Sequence, residues 1–223
     1  MAVEKMMIRI FVGLSLIYLS FEITANTDST FFLKPLLLLP LVTAVIIHPQ
    51  TSLKRLLIAA LIFSWCGDVL LLFTKNGELY FILGLVSFLT AHIFYTILFV
   101  KEIKKADGKL KFKNAGLALI VLYLLSFLYV LFPHLGGLKI PVIIYALVIT
   151  TMLFTAWQLS KYWPMPLSIL LLTGALSFVL SDSILAINKF YQPLPYAGFL
   201  IMTTYLFAQG ALVISWLEKK REV

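Results

Sequence analysis

Charge is what this chain lacks most. Asp, Glu, Lys and Arg make up 13% of its 223 residues, where a soluble domain carries about a quarter. Apolar residues reach 61% and the mean hydropathy is +1.01. So few charges cannot cover a water-facing surface, which excludes an ordinary soluble domain. The alternating ten-residue pattern of an outer-membrane barrel is also missing, and the apolar runs are helix-length instead. The single cysteine, Cys66, excludes an internal disulfide or a thiolate cluster. There are three histidines, His48, His92 and His134. On the topology derived below they fall at three different depths, so they cannot form a three-histidine zinc site. No Gly-x-Ser-x-Gly elbow is present, and Cys66 has no cationic neighbour to activate it.

What remains is a polytopic helical bundle, all-α and a single transmembrane domain over residues 1–223. A helical span takes about 20 mainly apolar residues. Eight are read: Ile8–Thr24, Phe31–His48, Leu56–Phe73, Leu79–Val100, Ala115–Phe132, Ile140–Ser160, Leu167–Ile187 and Tyr196–Leu217. Turn chemistry separates them, as in Asn26-Thr27-Asp28-Ser29, His48-Pro49-Gln50, Lys75-Asn76-Gly77, Gly136-Gly137 and Gln192-Pro193-Leu194-Pro195. The first span follows Lys5 and Arg9 as a signal peptide would. No clean cleavage site follows it, Thr24-Ala25-Asn26 being a poor one, so it is read as a retained span.

The cations are distributed asymmetrically. One side receives Lys5, Arg9, Lys54, Arg55, Lys101, Lys104, Lys105, Lys109, Lys111, Lys113, Lys161, Lys219, Lys220 and Arg221. The other receives only Lys34, Lys75, Lys139 and Lys189. The positive-inside rule then puts both termini in the cytoplasm. The net charge of +8 is thereby read as topology signals rather than as a nucleic-acid surface.

Two acids lie deep in apolar runs. Asp68 sits in Phe63-Ser64-Trp65-Cys66-Gly67-Asp68-Val69-Leu70-Leu71-Leu72, and Asp182 in Leu180-Ser181-Asp182-Ser183-Ile184-Leu185. An ionisable side chain inside a bilayer is expensive and marks a functional site by default. Each is five residues from the outer end of its span, roughly 7–8 Å below the boundary at the helical rise. Two carboxylates at one depth can form one site nearer the outer face. Glu22, Lys34, Ser181, Asn188 and Lys189 lie at the same level. Lys34 is placed to neutralise Glu22 or an aspartate, to meet a phosphate, or to snorkel to the interface. His92 and Tyr95 share one face of the fourth span, and Tyr205 and Gln209 lie on the eighth; interhelical hydrogen bonding is the plainer reading for these. Ser64 is one turn from Asp68. A faint four-plus-four parallel repeat relates Lys34-Pro35 to Lys139-Ile140-Pro141, Ser64/Asp68 to Phe178/Asp182, and Ala91-His92 to Ala208-Gln209. It predicts that the two aspartates face each other across a pseudo-two-fold axis.

The motif around Asp68, Gly84-Leu85-Val86-Ser87-Phe88-Leu89-Thr90-Ala91-His92-Ile93-Phe94-Tyr95, Ser181-Asp182, Tyr205-x-x-Ala208-Gln209 and Lys34-Pro35 together resemble the YhhN-like, or lysoplasmalogenase, family of membrane proteins. The resemblance runs from the second span to the end. It implies about eight membrane helices, two essential intramembrane aspartates at Asp68 and Asp182, and no metal or other cofactor. It also implies hydrolysis of the vinyl ether bond of a lysophospholipid, giving a fatty aldehyde and a glycerophospho-base, in a bilayer expected to be a bacterial inner membrane.

The residues suit that chemistry. Protonation of the vinyl ether β-carbon leaves an oxocarbenium ion, water adds, and the hemiacetal collapses. Glycoside hydrolysis handles such a cation with one carboxylic acid and one carboxylate, and two close carboxylates in a low dielectric do not both ionise. Lys34 and Lys189 are the candidates for the head-group phosphate; Ser64, His92, Tyr95, Ser181, Asn188, Tyr205 and Gln209 are candidate supports. Two other readings remain open. A proton-coupled transporter would also use paired acids and a parallel repeat, and a lipid-binding protein without turnover would keep the aspartates as structural groups.

Overall fold

A computed structural model of the protein describes residues 2–24, 27–49, 53–112 and 115–221. Ala25, Asn26, Gln50 and Lys113, used above as turn, cleavage-site or topology residues, lie outside the described residues, as do the side chains of Lys220 and Arg221. In hydrocarbon the backbone must satisfy its own hydrogen bonds, so apolar runs of this length can only be helices. Nine α-helices form among the described residues: α1 (Ala2–Ile23), α2 (Thr27–Leu33), α3 (Leu39–Ile47), α4 (Lys54–Leu72), α5 (Glu78–Lys105), α6 (Ala115–Leu131), α7 (Lys139–Ser160), α8 (Met165–Ala186) and α9 (Ala197–Arg221). No strand occurs among the described residues. Eight segments are long and apolar enough to cross a membrane, and the chain is an integral membrane protein.

The second segment, Asp28–Ile47, is not one rod. It is built of α2, a 3-10 turn (Lys34–Leu36) and α3. Pro35 and Pro40 cause the break, because each lacks the N–H that would continue an α-helical ladder and its ring clashes with the preceding turn. The interruption leaves carbonyls without helical donors, and a neighbouring helix supplies one. The Trp65 indole on α4 donates to the Pro35 carbonyl at 2.6 Å. This contact fixes the break against α4 one turn before Asp68, where the continuous span expected from hydropathy would have placed none.

Packing is most extensive between α4 and α5 and between α8 and α9. Helix α5 also packs on α7, and α7 on α8. Two close approaches hold this centre together. A Cβ on Gly67 would lie 2.5 Å from the Phe88 ring, so only glycine lets α5 lay that ring against α4 beside Asp68. Ser87 of α5 then donates to the Phe63 carbonyl of α4 at 2.6 Å. The centre of the core is Phe178 of α8, fully buried, with ring centroids 4.6 Å from His92, 5.5 Å from Tyr205 and 6.3 Å from Tyr95. Helix α6 is peripheral: it buries only Leu124 and Leu131.

The last turn of the seventh span is wider than an α-helix. Residues Ile187–Tyr191 form a π-helical turn that extends α8 beyond the expected end at Ile187. Turns of this kind are rare and recur at functional sites. Asn188 within it accepts a hydrogen bond from the Leu194 N–H at 2.9 Å, which ties down the following proline-rich loop.

Candidate active site

Asp68 and Asp182 each sit one turn before the last residue of their helix, α4 and α8. Both line one cavity of about 270 Å³ at that end of the bundle. Of the residues proposed from sequence, Lys34, Ser181, Asn188, Lys189 and Tyr205 line it too. The remaining walls are mainly Phe, Leu, Ile and Met side chains with Tyr18, Glu22 and Gly198.

Asp68 is 2% exposed. Two groups offset the cost of burying it. Lys34, carried on the proline break, brings Nζ to 3.8 Å from Asp68 Oδ1. Tyr205 of α9 donates its hydroxyl to Asp68 Oδ2 at 2.6 Å. Of the partners open to Lys34 from sequence, the structure selects Asp68. A charge in this setting needs both an opposite charge and hydrogen bonds to remain in place.

Asp182 is more open, its side chain 14% exposed. Tyr145 of α7 donates a short hydrogen bond to its Oδ2. His92 Nε2 lies 3.1 Å from the same oxygen and 3.0 Å from the Tyr145 hydroxyl. His92 is fully buried on α5. It therefore supports Asp182 from beneath and is not itself on the cavity wall. Tyr145 was not among the residues picked out from sequence, since nothing in Ile144-Tyr145-Ala146 distinguishes it from an ordinary tyrosine of an apolar span.

Tyr95, Gln209 and Ser64 fall outside the cavity. Tyr95 donates to Gln209 Oε1 at 2.6 Å, an α5–α9 contact deeper in the core. Ser64 is fully buried on the turn below Asp68, and its hydroxyl has no hydrogen-bond partner among the described residues. Ser181 lines the cavity while donating to the Ile201 carbonyl at 3.0 Å, so it fastens α8 to α9. Among the described residues no group of three or more His, Cys, Asp and Glu is placed to hold a metal ion.

Asp182 also lines two small apolar recesses. One, about 40 Å³, runs between α6, α7 and α8 past Leu124, Phe127, Val142 and Ile149. Tyr123 and Ser183 meet at its edge, their hydroxyls 2.5 Å apart. The other, about 30 Å³, is bounded by Phe81, Leu85 and Phe190. Further along the same α6–α7–α8 seam is an apolar groove of about 220 Å³ lined by Leu119, Ile120, Leu153, Leu172 and Leu176. The second carboxylate thus stands where a polar cavity meets apolar clefts.

The chain is 33% identical to the Homo sapiens lysoplasmalogenase TMEM86B over 176 residues, 78% of this chain and 68% of that protein. It is 30% identical to the Homo sapiens lysoplasmalogenase TMEM86A over 181 residues, 79% and 70% of the two chains. A lysoplasmalogenase of Mycobacterium tuberculosis is 29% identical over 154 residues, 67% of this chain and 56% of its own length. No solved structure matches. A sequence model of the YhhN family matches residues 29–216, a stretch that holds both aspartates, Lys34, His92, Tyr145 and Tyr205, and the chain belongs to the YhhN family.

Proposed function

We propose that this protein is a membrane hydrolase that cleaves the vinyl ether bond of lysoplasmalogen-type lysophospholipids, using Asp68 and Asp182 and no metal. The observation that carries the reading is the position of Asp182, at the junction of the polar cavity and the apolar recesses. In a lysoplasmalogen the vinyl ether is itself the junction of head and chain. A head group in the polar cavity and a chain running toward the α6–α7–α8 seam would set the reacting carbons beside that carboxylate. The names of the relatives support the same bond as the target.

On this reading Asp182 gives its proton to the vinyl β-carbon, and the ether carbon becomes an oxocarbenium ion. Water adds to that carbon and yields a proton to Asp68. The hemiacetal then breaks its C–O bond to the glycerol oxygen, which takes a proton, while the hydroxyl loses one and becomes the aldehyde. Proton transfer by positioned carboxyls is the ordinary contribution of such groups. Lys34 and Tyr205 hold Asp68, and Tyr145 and His92 hold Asp182, so neither carboxyl must reorganise as charge develops. Lys34 and Lys189 supply the cations for the head-group phosphate. The basic loops support cytoplasmic termini, which sets the cavity in the outer half of the membrane.

Release of fatty aldehyde from a 1-alkenyl lysophospholipid by purified protein in detergent tests the reading, with Asp68→Asn and Asp182→Asn in parallel. Aldehyde release by the wild type and its loss in both variants is expected. Full activity in both variants would remove the two-carboxylate mechanism. No release by the wild type would remove the hydrolase.

A further inference from the structure

Helix α6 leaves a seam between itself, α7 and α8. It buries only Leu124 and Leu131, so little of its surface is taken up by packing. The recess beside Asp182 and the groove of about 220 Å³ both lie along this seam. On each helix the lining of one is a single turn from the lining of the other: Leu124 and Ile120 on α6, Ile149 and Leu153 on α7, Val179 and Leu176 on α8. Residues three or four apart share a helix face. Three apolar stripes therefore run in step from the Asp182 carboxyl toward the opposite end of the bundle. Leu119 and Leu176 are exposed, so the groove is open along its side to lipid.

The seam also has an end. The groove finishes at Trp157 of α7, whose ring lies against the first turn of α6. A Cβ on Gly116 would stand 2.5 Å from that ring, so only glycine lets the indole lie across the seam. Lys161, just beyond α7, holds its Nζ 3.7 Å from the ring centroid. Asp182 and Leu172, the α8 residue at the far end of the groove, are ten positions apart. That is about 15 Å at the helical rise. It equals half of the roughly 30 Å hydrocarbon core, the depth that one lipid chain fills in a bilayer.

We infer that this seam holds the hydrocarbon chain of the substrate and that Trp157 ends it, so that chain length is measured from Asp182 to the indole. The inference rests on the proposed lysolipid substrate and adds to it a chain class, straight chains of membrane length, about sixteen carbons. A chain half as long stops at the junction of recess and groove, near Ile149 and Val179. A much longer one meets Trp157 and must bend out past Leu119 and Leu176. The continuity of the stripes with the Asp182 recess favours the substrate chain over a chain of a neighbouring bilayer lipid, which would have no reason to lead to the carboxyl.

The test locates the chain end by photolabelling of the full-length protein in detergent micelles. The probes are 1-acyl lysophosphatidylcholines with a diazirine at the last carbon of a sixteen-carbon or an eight-carbon chain. Their ester linkage replaces the vinyl ether, so position is read without turnover. Peptide mass spectrometry should find the sixteen-carbon label at Leu153, Trp157 or Leu172, and the eight-carbon label more than one turn nearer Asp182. A tenfold excess of unlabelled lysophosphatidylcholine should cut the groove label about tenfold by mass action, and the same excess of diacyl phosphatidylcholine less than about twofold. Leu176→Trp fills the groove from an exposed position, and should remove the sixteen-carbon label from Trp157 and Leu172 while the eight-carbon label stays. Trp157→Leu should let a twenty-carbon probe label the turn beyond residue 157. One label position for both chain lengths, a label spread over the lipid-facing residues of every helix, or equal displacement by diacyl lipid overturns the assignment, the last because the groove then holds bilayer lipid only. Aldehyde release is scored separately: groove labelling without hydrolysis leaves this inference standing and removes the enzymatic one, and hydrolysis with the label elsewhere does the reverse.

Discussion

Replacing Lys34 by methionine separates the cost of an orphaned carboxylate from the cost of a lost reactant. Two unit charges 3.8 Å apart interact by about 4 kcal/mol at an effective dielectric near 20. The Lys34 side chain is 14% exposed and so partly screened, while Asp68 is 2% exposed. Lys34→Met leaves the buried Asp68 carboxyl with only Tyr205 to hold it, and breaking one side of a buried pair commonly costs about 3–5 kcal/mol. With the screening of Lys34 allowed for, the expected loss of stability is about 2–4 kcal/mol. Asp68→Asn is milder. Its amide oxygen still accepts the Tyr205 hydroxyl, and the orphaned ammonium can turn to the cavity, so the cost is about 1 kcal/mol. The double variant should be close to Asp68→Asn alone, so the coupling in a double-mutant cycle equals the cost of Lys34→Met, about 2–4 kcal/mol. Denaturant titration of the protein in mild detergent micelles, followed by tryptophan fluorescence, reads all four species. A cost below about 0.5 kcal/mol for Lys34→Met, or strict additivity of the two changes, would refute the pairing.

Three further outcomes follow from the packing around the site. Tyr145→Phe removes the hydroxyl shared by Asp182 and His92, and should lower kcat for aldehyde release by about 10–100-fold while the thermal midpoint in detergent moves little. Trp65→Phe leaves the Pro35 carbonyl without its indole donor, costing about 1–2 kcal/mol; the unfolding midpoint should fall, and KM should rise because Lys34 is the neighbour of that carbonyl. Gly67→Ala drives a methyl to 2.5 Å from the Phe88 ring, an overpacking worth about 1–3 kcal/mol that Phe88→Leu in the same chain should partly reverse in thermal melts.

Much of this was open to a reading of the chain, and the reasons differ by residue. Asp68 and Asp182 were visible because a bilayer makes any buried acid conspicuous against apolar neighbours. The eight spans were visible because length and hydropathy alone define them. The proline break was harder. Pro35 and Pro40 were plain in the sequence, but hydropathy passes over them, and the Trp65 donor that steadies the break is 30 residues away. Tyr145 and the burial of Ser64 were hidden for one reason: which face of a nearly all-apolar helix points inward is set by its neighbours. Ser64 shares a face with Asp68 but lies a turn too deep to reach the cavity. Glu22 and Tyr18 had a local signal, the spacing of four that puts them on one face of α1. The sequence could not add that Lys34, the nearest cation in the chain, would turn to Asp68 instead.

The two carboxyls are held by contacts that cross the molecule. Asp68 of the third span takes its hydroxyl from Tyr205 of the eighth, and Asp182 of the seventh takes its imidazole from His92 of the fourth. A two-fold relation between the halves would produce such an exchange, and we take the four-plus-four repeat as a proposal on that ground. The exchange is not symmetric. Lys34 stands by Asp68, whereas the corresponding Lys139 has its Nζ over the Phe132 ring, 4.6 Å from the centroid. Asp182 has Tyr145 in addition and opens on the apolar recesses. A symmetric pair of acids would have no reason to divide proton donation from proton acceptance. Here a cation on one side, and a phenol with an apolar cleft on the other, make the two carboxyls chemically different. That difference is what the proposed reaction requires of them.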